Sequence, residues 1–74
     1  MKMYDIDGYD YKSGKQVSYG FGMGRSLESV FENYTLKKRV SEVKIHDGQI
    51  EFTRRTIRFG KIRVVIKETK FEES

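Results

Sequence analysis

Asp47-Gly48 is the part of this sequence that most restricts how the chain can fold, because it separates two short stretches of alternating apolar and polar residues. This dipeptide favours a type I′ turn, in which both central residues take a positive φ. Closing the turn creates two apolar pairs on one face of a hairpin and one pair of opposite charge on the other: Ile45 with Ile50, Val43 with Phe52, and Lys44 with Glu51. Since turn chemistry, apolar register and charge register agree, the sequence predicts a β-hairpin here.

The N-terminal segment predicts a second hairpin, because apolar residues again alternate with polar residues or glycine on both sides of a turn signal. A two-residue loop at Ser13-Gly14 would set Ile6 opposite Phe21 and Tyr4 opposite Met23, so that these side chains share one buried face. A longer loop is the alternative, because the short loop also pairs an aspartate with a valine nearer the turn.

Ser26 marks the predicted start of a helix, since its hydroxyl can accept a hydrogen bond from a free backbone N–H of the first turn. The apolar residues that follow recur at the spacing of one helical face: Leu27, Val30, Phe31 and Tyr34. The spacing breaks near Leu36, so the predicted helix ends between Thr35 and Lys38. The basic run Lys37-Lys38-Arg39 suits the negative end of the helix dipole or, in a second interpretation, extends a positive surface.

The stretch around Gly60 has two interpretations. In the first, Gly60-Lys61 forms a type II′ turn that creates two apolar pairs: Phe59 with Ile62, and Ile57 with Val64. That turn also places Arg58 directly opposite Arg63, and like charges facing each other destabilise a strand pair. In the second, one long strand bulges at Gly60. The tight turn is the preferred interpretation.

Together these elements predict an α+β fold: a β-hairpin, one α-helix and then an antiparallel β-meander, or ββαββ with one or two further strands. The helix is expected to pack its apolar stripe on one face of the sheet. A length of 74 residues predicts one domain, residues 1–74, with a disordered tail at Glu72-Glu73-Ser74. The predicted core collects the apolar members of all these patterns: Tyr4, Ile6, Val17, Tyr19, Phe21, Leu27, Val30, Phe31, Tyr34, Val43, Ile45, Ile50, Phe52, Ile57, Phe59, Ile62, Val64 and Ile66.

Seven basic residues and one acid lie between Arg54 and Lys70, and apolar residues are threaded among them in a strand-like alternation. The candidate binding residues are the basic side chains of this stretch: Arg54, Arg55, Arg58, Lys61, Arg63 and Lys67. Because arginine forks and lysine ammonium groups bind phosphate, they predict a surface for nucleic acid or another polyanion. The alternative is that these charges only keep an exposed strand from pairing with other sheets.

Tyr9 and Tyr11 are a second pair of candidate site residues, because alternation places them on the hairpin face opposite Ile6. Exposed tyrosines can stack on unpaired bases or anchor a protein interface. In the alternative interpretation the tail of the chain covers them.

Two patterns that resemble ligand sites favour structural roles instead. Gly20, Gly22 and Gly24 precede the predicted helix, as in a glycine-rich phosphate loop. Their strict alternation, however, favours one bare face of a strand, which another element can approach closely. Asp5 and Asp7 favour a solvated strand face, because the residues after them do not follow the spacing of a calcium-binding loop.

Composition narrows the classes of function. The chain has no cysteine, which excludes disulfides and thiolate metal sites, and its single histidine, His46, excludes a multi-histidine metal cage. No apolar stretch approaches the roughly 20 residues of a membrane span, and the N-terminus lacks the apolar core of a secretory signal. No activated nucleophile or paired acid can be identified. We therefore expect a cytoplasmic protein that is not an enzyme and uses no cofactor or metal.

The distribution of charge points toward an electrostatic partner. Residues 1–36 hold four basic and five acidic side chains, whereas residues 37–74 hold eleven and six. The sequence therefore predicts a small non-catalytic module that binds nucleic acid or another polyanion through its basic strand face. The alternative is a protein-interaction module, such as a small inhibitor or assembly adaptor of the kind that phages and mobile elements encode. Either module could be a monomer or a homodimer formed through a sheet edge.

Overall fold

A computed structural model describes residues 1–35 and 40–70, and for Thr35 and Ser41 it describes the backbone alone. Five strands and one helix follow each other in these residues: β1 (Lys2–Asp10), β2 (Gln16–Gly24), α1 (Leu27–Thr35), β3 (Val40–His46), β4 (Gln49–Thr56) and β5 (Gly60–Glu68). The predicted α+β order of hairpin, helix and meander is confirmed, with one strand beyond ββαββ. The predicted basic run Lys37-Lys38-Arg39 and the predicted tail at Glu72-Glu73-Ser74 lie outside the described residues.

The five strands form one antiparallel sheet in the order β2-β1-β5-β4-β3. The last strand, β5, lies at the centre and joins the N-terminal hairpin to the meander, so that Ile66 lies opposite Ile6 on one side and Ile50 on the other. The two outer strands, β2 and β3, are therefore the edges of the sheet.

The hairpin of β3 and β4 forms as its turn chemistry predicts. Asp47 and Gly48 have positive φ angles of 21° and 73°, which a type I′ turn requires. All three predicted cross-strand pairs are present: Ile45 with Ile50, Val43 with Phe52, and Lys44 with Glu51. Local turn preference and side-chain register therefore predict the pairing of this hairpin correctly.

The hairpin of β1 and β2 forms in a different register from the predicted one. Ile6 lies opposite Gly20 and Tyr4 opposite Gly22, so the predicted pairing with Phe21 and Met23 is wrong. The loop is longer than two residues, and the N–H of Asp10 closes it by donating to the carbonyl of Lys15 at 2.8 Å. Since a shift of one residue turns every side chain of a strand to the other face, the glycines of β2 face the helix.

The glycine face of β2 lies directly against α1. A Cβ atom at Gly24 would lie 2.6 Å from Val30 Cγ2, and one at Gly22 would lie 3.1 Å from Val30 Cγ1. Glycine at these positions therefore lets the helix approach the strand closely. This confirms the predicted bare strand face and identifies α1 as the element that approaches it.

The helix begins and packs as predicted. The hydroxyl of Ser26 accepts a hydrogen bond from the N–H of Ser29 at 3.2 Å, which caps the first turn. The rings of Phe31 and Tyr34 pack against Phe52 of β4, with centroids 5.0 and 6.1 Å from it. The apolar stripe of α1 is thus anchored on the meander as well as on β2.

Both interpretations of Gly60 are wrong. The chain does reverse here, but residues 57–59 form the loop, and Thr56 lies opposite Gly60. Gly60 takes a positive φ of 68°, and the hydroxyl of Thr56 accepts a hydrogen bond from the N–H of Phe59 at 2.8 Å. This loop moves Arg58 out of the strands, so it does not face Arg63.

The core is smaller than predicted. Eight predicted members are buried and four are partly buried: Tyr4, Leu27, Val30, Ile50, Phe52, Ile62, Val64 and Ile66, then Ile6, Val17, Phe31 and Tyr34. Six predicted members are exposed instead: Tyr19, Phe21, Val43, Ile45, Ile57 and Phe59. The register of β1 and β2 turns the first two outward, and the loop between β4 and β5 holds the last two. Val43 and Ile45 share the helix face, but they lie on the edge strand β3, while the nine-residue helix packs mainly on β2, β4 and β5.

Candidate functional site

The open face, meaning the side of the sheet that turns away from α1, collects alternate residues of all five strands. Register places there Asp5, Asp7 and Tyr9 of β1; Tyr19, Phe21 and Met23 of β2; Glu42, Lys44 and His46 of β3; Gln49, Glu51, Thr53 and Arg55 of β4; and Lys61, Arg63, Val65 and Lys67 of β5. The face is uneven, because residues 18–24 of β2 contribute only apolar and aromatic side chains to it, while β3, β4 and β5 carry most of the charges. The polar Gln16, at the start of β2, lies opposite Tyr9 and donates a hydrogen bond to Asp7 at 3.3 Å.

The six predicted basic residues do not form one patch. Arg55, Lys61, Arg63 and Lys67 lie on the open face, whereas Arg54 lies on the helix face and Arg58 on the loop of residues 57–59. The guanidinium carbon of Arg54 is 5.1 Å from the ring centroid of Tyr34, and its buried Nε has no hydrogen-bond partner among the described residues. Arg54 therefore belongs to the packing under the helix rather than to the open face.

Lys67 is separated from the other cations of the open face. It lies four residues after Arg63 on β5, which is about 13 Å along a strand. Its direct neighbour across the sheet is Asp5, whose carboxylate also accepts a hydrogen bond from the Thr69 hydroxyl at 2.8 Å. Lys67 therefore lies beside an acid and apart from the other cations of the open face, outside the candidate site.

Tyr9 and Tyr11 meet the cations at the other end of β5. Tyr9 lies directly opposite Arg63, and the guanidinium carbon of Arg63 is 5.2 Å from the Tyr9 ring centroid. The ammonium nitrogen of Lys61 is 4.1 Å from the ring centroid of Tyr11, whose N–H donates to the Lys61 carbonyl at 3.2 Å. Arg55 lies opposite Lys61 on β4. These five residues form the tyrosine–cation cluster. They bring together the basic residues of the C-terminal strands and the tyrosine pair, which the sequence predicts as two separate sites.

The turn between β1 and β2 holds Tyr11 in place. The Asp10 carboxylate accepts hydrogen bonds from the N–H groups of Ser13 at 2.8 Å and Lys12 at 3.0 Å. The hydrogen bond from the Ser13 backbone is the main reason that the pKa of Asp10 lies below its ordinary value. A charged Asp10 thus fixes the turn that holds Tyr11 in the cluster and Lys12 next to it.

A shallow groove of about 430 Å³ runs beside the cluster on the open face. Its lining includes Tyr11, Lys12, Arg63, Glu51 and Lys44, and Thr53, which is only 7% exposed, lies at its base. Arg63 and Glu51 form an ion pair at 3.6 Å across the groove. Because both partners are partly exposed, this pair contributes at most about 1 kcal/mol and can be broken by a stronger anion.

An apolar strip, made of Tyr19, Phe21 and Met23, lies along the opposite side of the open face on β2. These side chains are 78%, 63% and 58% exposed, so none of them is a core residue. Sequence reasoning missed this surface because it took apolar alternation as a sign of burial. The signal that identifies it is the glycine at each intervening position, since a strand face of glycines fits only where another element packs closely.

Within the described residues, no three histidine or acidic side chains come together in a way that could hold a metal ion. His46 is exposed beside the Asp47-Gly48 turn. No helix in the described part of the chain is long and apolar enough to cross a membrane.

Comparison with protein-family models, with curated proteins and with solved structures finds no match to this chain. Its function therefore has to be inferred from the chemistry of its own surface.

Proposed function

We propose that this chain is a non-catalytic module that binds nucleic acid, and specifically an unpaired strand, through the tyrosine–cation cluster. One observation carries the proposal: two aromatic rings and three cations lie together on an exposed sheet face, with Lys61 against Tyr11 and Arg63 against Tyr9. Proteins that bind single strands combine these same two elements, a positive surface that follows the backbone and aromatic rings on which bases stack.

The cations of the cluster suit the phosphate backbone. Arg55 and Arg63 can each present two parallel N–H donors to a phosphate, and Lys61, which lies opposite Arg55 and two residues before Arg63, adds an ammonium group. The only acid that pairs with these three cations among the described residues is Glu51, through its exposed ion pair with Arg63. A phosphate group can replace that carboxylate at little cost, because exposed ion pairs contribute at most about 1 kcal/mol.

The tyrosines favour an unpaired strand over a duplex. In a duplex the faces of the bases are stacked on each other and cannot reach Tyr9 or Tyr11, whereas an extended strand can lay its bases against them. The described helix is also buried against the sheet through Leu27 and Val30, so it does not offer a free recognition helix for the major groove. An open sheet face with exposed rings suits splayed bases better than a closed duplex.

Fluorescence anisotropy with labelled single-stranded and duplex oligonucleotides of the same length tests the proposal. The wild-type chain is expected to bind the single strand more tightly. Tyr11→Leu keeps an apolar side chain but removes the ring face, so it is expected to weaken binding by about tenfold, since one stacked base contributes about 1–3 kcal/mol. Tyr19→Leu is the matched control, because Tyr19 is also an exposed tyrosine of the open face but lies on β2 outside the cluster. Equal losses in the two variants, or a preference for the duplex, would contradict the proposal.

The apolar strip favours a second candidate function, an interaction module for another protein. Tyr19, Phe21 and Met23 form an exposed apolar surface on an edge strand, and such surfaces mark sites of protein association. Salt separates the two functions, because polyanion binding weakens steeply with ionic strength whereas apolar association does not. A pull-down from lysate with and without nuclease distinguishes a captured protein from one held through nucleic acid.

A further inference from the structure

The two edges of the sheet differ in how they are protected. β3 carries the charged side chains Glu42 and Lys44 at alternate positions, and charges on an edge strand oppose pairing with another sheet. The nine residues of β2, from Gln16 to Gly24, include no charged side chain and no proline. Among the described residues no strand lies beyond β2, so its outer backbone N–H and carbonyl groups can pair with a further strand.

The part of β2 that can pair regularly is limited at both ends. The register with β1 shifts next to Val17, where β2 bulges, and the strand ends at Gly24 before the charged Arg25. Residues 18–24 remain as a regular, uncharged stretch, and Phe21 is its midpoint. Gly22 and Gly24 of this stretch pack closely against Val30 of the helix.

We infer that β2 pairs antiparallel with β2 of a second copy of this chain, with Phe21 on the two-fold axis. Phe21 then faces its own copy, Tyr19 faces Met23 of the second copy, and Gly20 faces Gly22. This register keeps the apolar strips of both copies on one face, where they stack side by side. The two five-stranded sheets join into one of ten, and both helices lie on the same side.

The side chains of the β2 edge favour a second copy of this chain over a nucleic acid or a charged peptide. The edge offers no cation to a nucleic acid and no charge to an acidic or basic peptide. The pattern of residues 18–24 is symmetric in character about Phe21, with glycine on either side and an apolar side chain beyond each glycine. A copy of the strand therefore matches it position by position, without placing one charge opposite another in a chain of net charge +4. This inference deepens the interaction-module function and is independent of nucleic-acid binding.

Sedimentation equilibrium of the isolated chain at several concentrations, without nucleic acid, tests the inference. The wild type is expected to show a monomer–dimer equilibrium that changes little with salt. Phe21→Lys is expected to raise the dimer dissociation constant by more than about tenfold, because it removes the central ring pair and sets two like charges opposite each other on the axis. Ile45→Lys is the matched control, since Ile45 is also 63% exposed but lies on the other edge, and it is expected to leave the equilibrium unchanged.

A mixing experiment tests the register itself. Phe21→Lys and Phe21→Glu are each expected to be monomeric, and an equimolar mixture is expected to recover dimers, because opposite charges then meet on the axis. The monomer is expected to tolerate Phe21→Lys, since residue 21 lies directly opposite Asp5 on β1. If Phe21→Glu proves unstable, hydrogen exchange of the wild type is measured in place of the mixing experiment. The protection of the β2 amides is then expected to rise with protein concentration.

Two results would overturn the inference. The first is a wild-type chain that stays monomeric up to its solubility limit with unprotected β2 amides. The second is an Ile45→Lys variant that dissociates as readily as Phe21→Lys. Neither result bears on the tyrosine–cation cluster, whose oligonucleotide binding is measured separately, so the failure of one proposal can be distinguished from the failure of the other.

Discussion

β2 and β4 show the same alternation of apolar residues in the sequence, but they use it in opposite ways. In β4 the apolar residues Ile50 and Phe52 face the helix and are fully buried. In β2 the glycines face the helix, and Phe21 and its apolar neighbours face solvent. The difference shows that the side chain between the apolar residues decides which face a strand buries, since a glycine face accepts a closely packed helix. β4 builds the core, while β2 supplies a rigid surface.

Phe52 of β4 and Phe21 of β2 are expected to differ most in how much they stabilise the fold. Phe52→Ala is expected to lower the free energy of unfolding by about 3–5 kcal/mol, because it removes the ring against which Phe31 and Tyr34 pack. Phe21→Ala is expected to change it by no more than about 0.5 kcal/mol, as for other exposed positions. Urea denaturation of both variants, at a concentration where the chain is monomeric, provides the measurement. Similar losses in the two variants would mean that the register of β2 is wrong.

Two glycines of β2 are expected to differ, by a smaller amount, in how a substitution changes stability. Gly24→Ala is expected to cost about 1–3 kcal/mol of stability, because the added methyl group would lie 2.6 Å from Val30 Cγ2. Gly20→Ala meets no atom within 4 Å and is expected to be neutral or to stabilise by about 0.5 kcal/mol. Thermal unfolding of the two variants distinguishes them. Equal melting temperatures would contradict the close approach of α1 to this end of β2.

The parts of the fold that sequence predicts correctly are those with several local signals. At Asp47-Gly48 the turn residues, the apolar pairs and the Lys44–Glu51 pair all require the same hairpin. At Gly60 the signals conflicted, since the predicted tight turn set Arg58 against Arg63. The actual loop avoids that contact by enclosing residues 57–59. The like-charge pair that the tight turn would create was therefore the sign that the turn lies elsewhere.

The candidate site was only partly accessible to sequence reasoning. The basic and aromatic residues could be identified from their alternation, but no local signal brings Tyr9 to Arg63, which is 54 positions later in the chain. That contact depends on β5 pairing with β1 at the centre of the sheet. For the same reason, the sequence pattern grouped Arg54 with the surface cations, although it lies under the helix. It also grouped Lys67 with cations that lie about 13 Å away along β5.

The smallest expected effect concerns the turn that joins β1 to β2. Because the pKa of Asp10 is lowered in the folded chain, its charge stabilises the fold above the ordinary carboxylate pKa of about 4, and this contribution is lost as pH falls through the lowered value. Asp10→Asn is therefore expected to be less stable than the wild type at neutral pH, with a difference that shrinks in acid. Urea denaturation across this pH range measures it. Asp47→Asn, which removes a negative charge from the turn between β3 and β4, is the control. If the stability difference between the wild type and Asp10→Asn grew in acid, the role of Asp10 would be contradicted.

The central claim is that the tyrosine–cation cluster binds single-stranded nucleic acid. The salt dependence of binding in two charge-matched double variants tests this claim most directly. Lys61→Gln/Arg63→Gln and Lys2→Gln/Arg25→Gln each remove one lysine and one arginine, and each breaks one exposed ion pair, at 3.6 Å in the first and 3.7 Å in the second. If the tyrosine–cation cluster binds the strand, the slope of the logarithm of affinity against the logarithm of salt concentration flattens by about 1.4 in the first variant, for two lost phosphate contacts. In the second variant it stays near the wild-type slope. Equal flattening in both variants, or none in the first, would show that the cluster is not the site that binds nucleic acid.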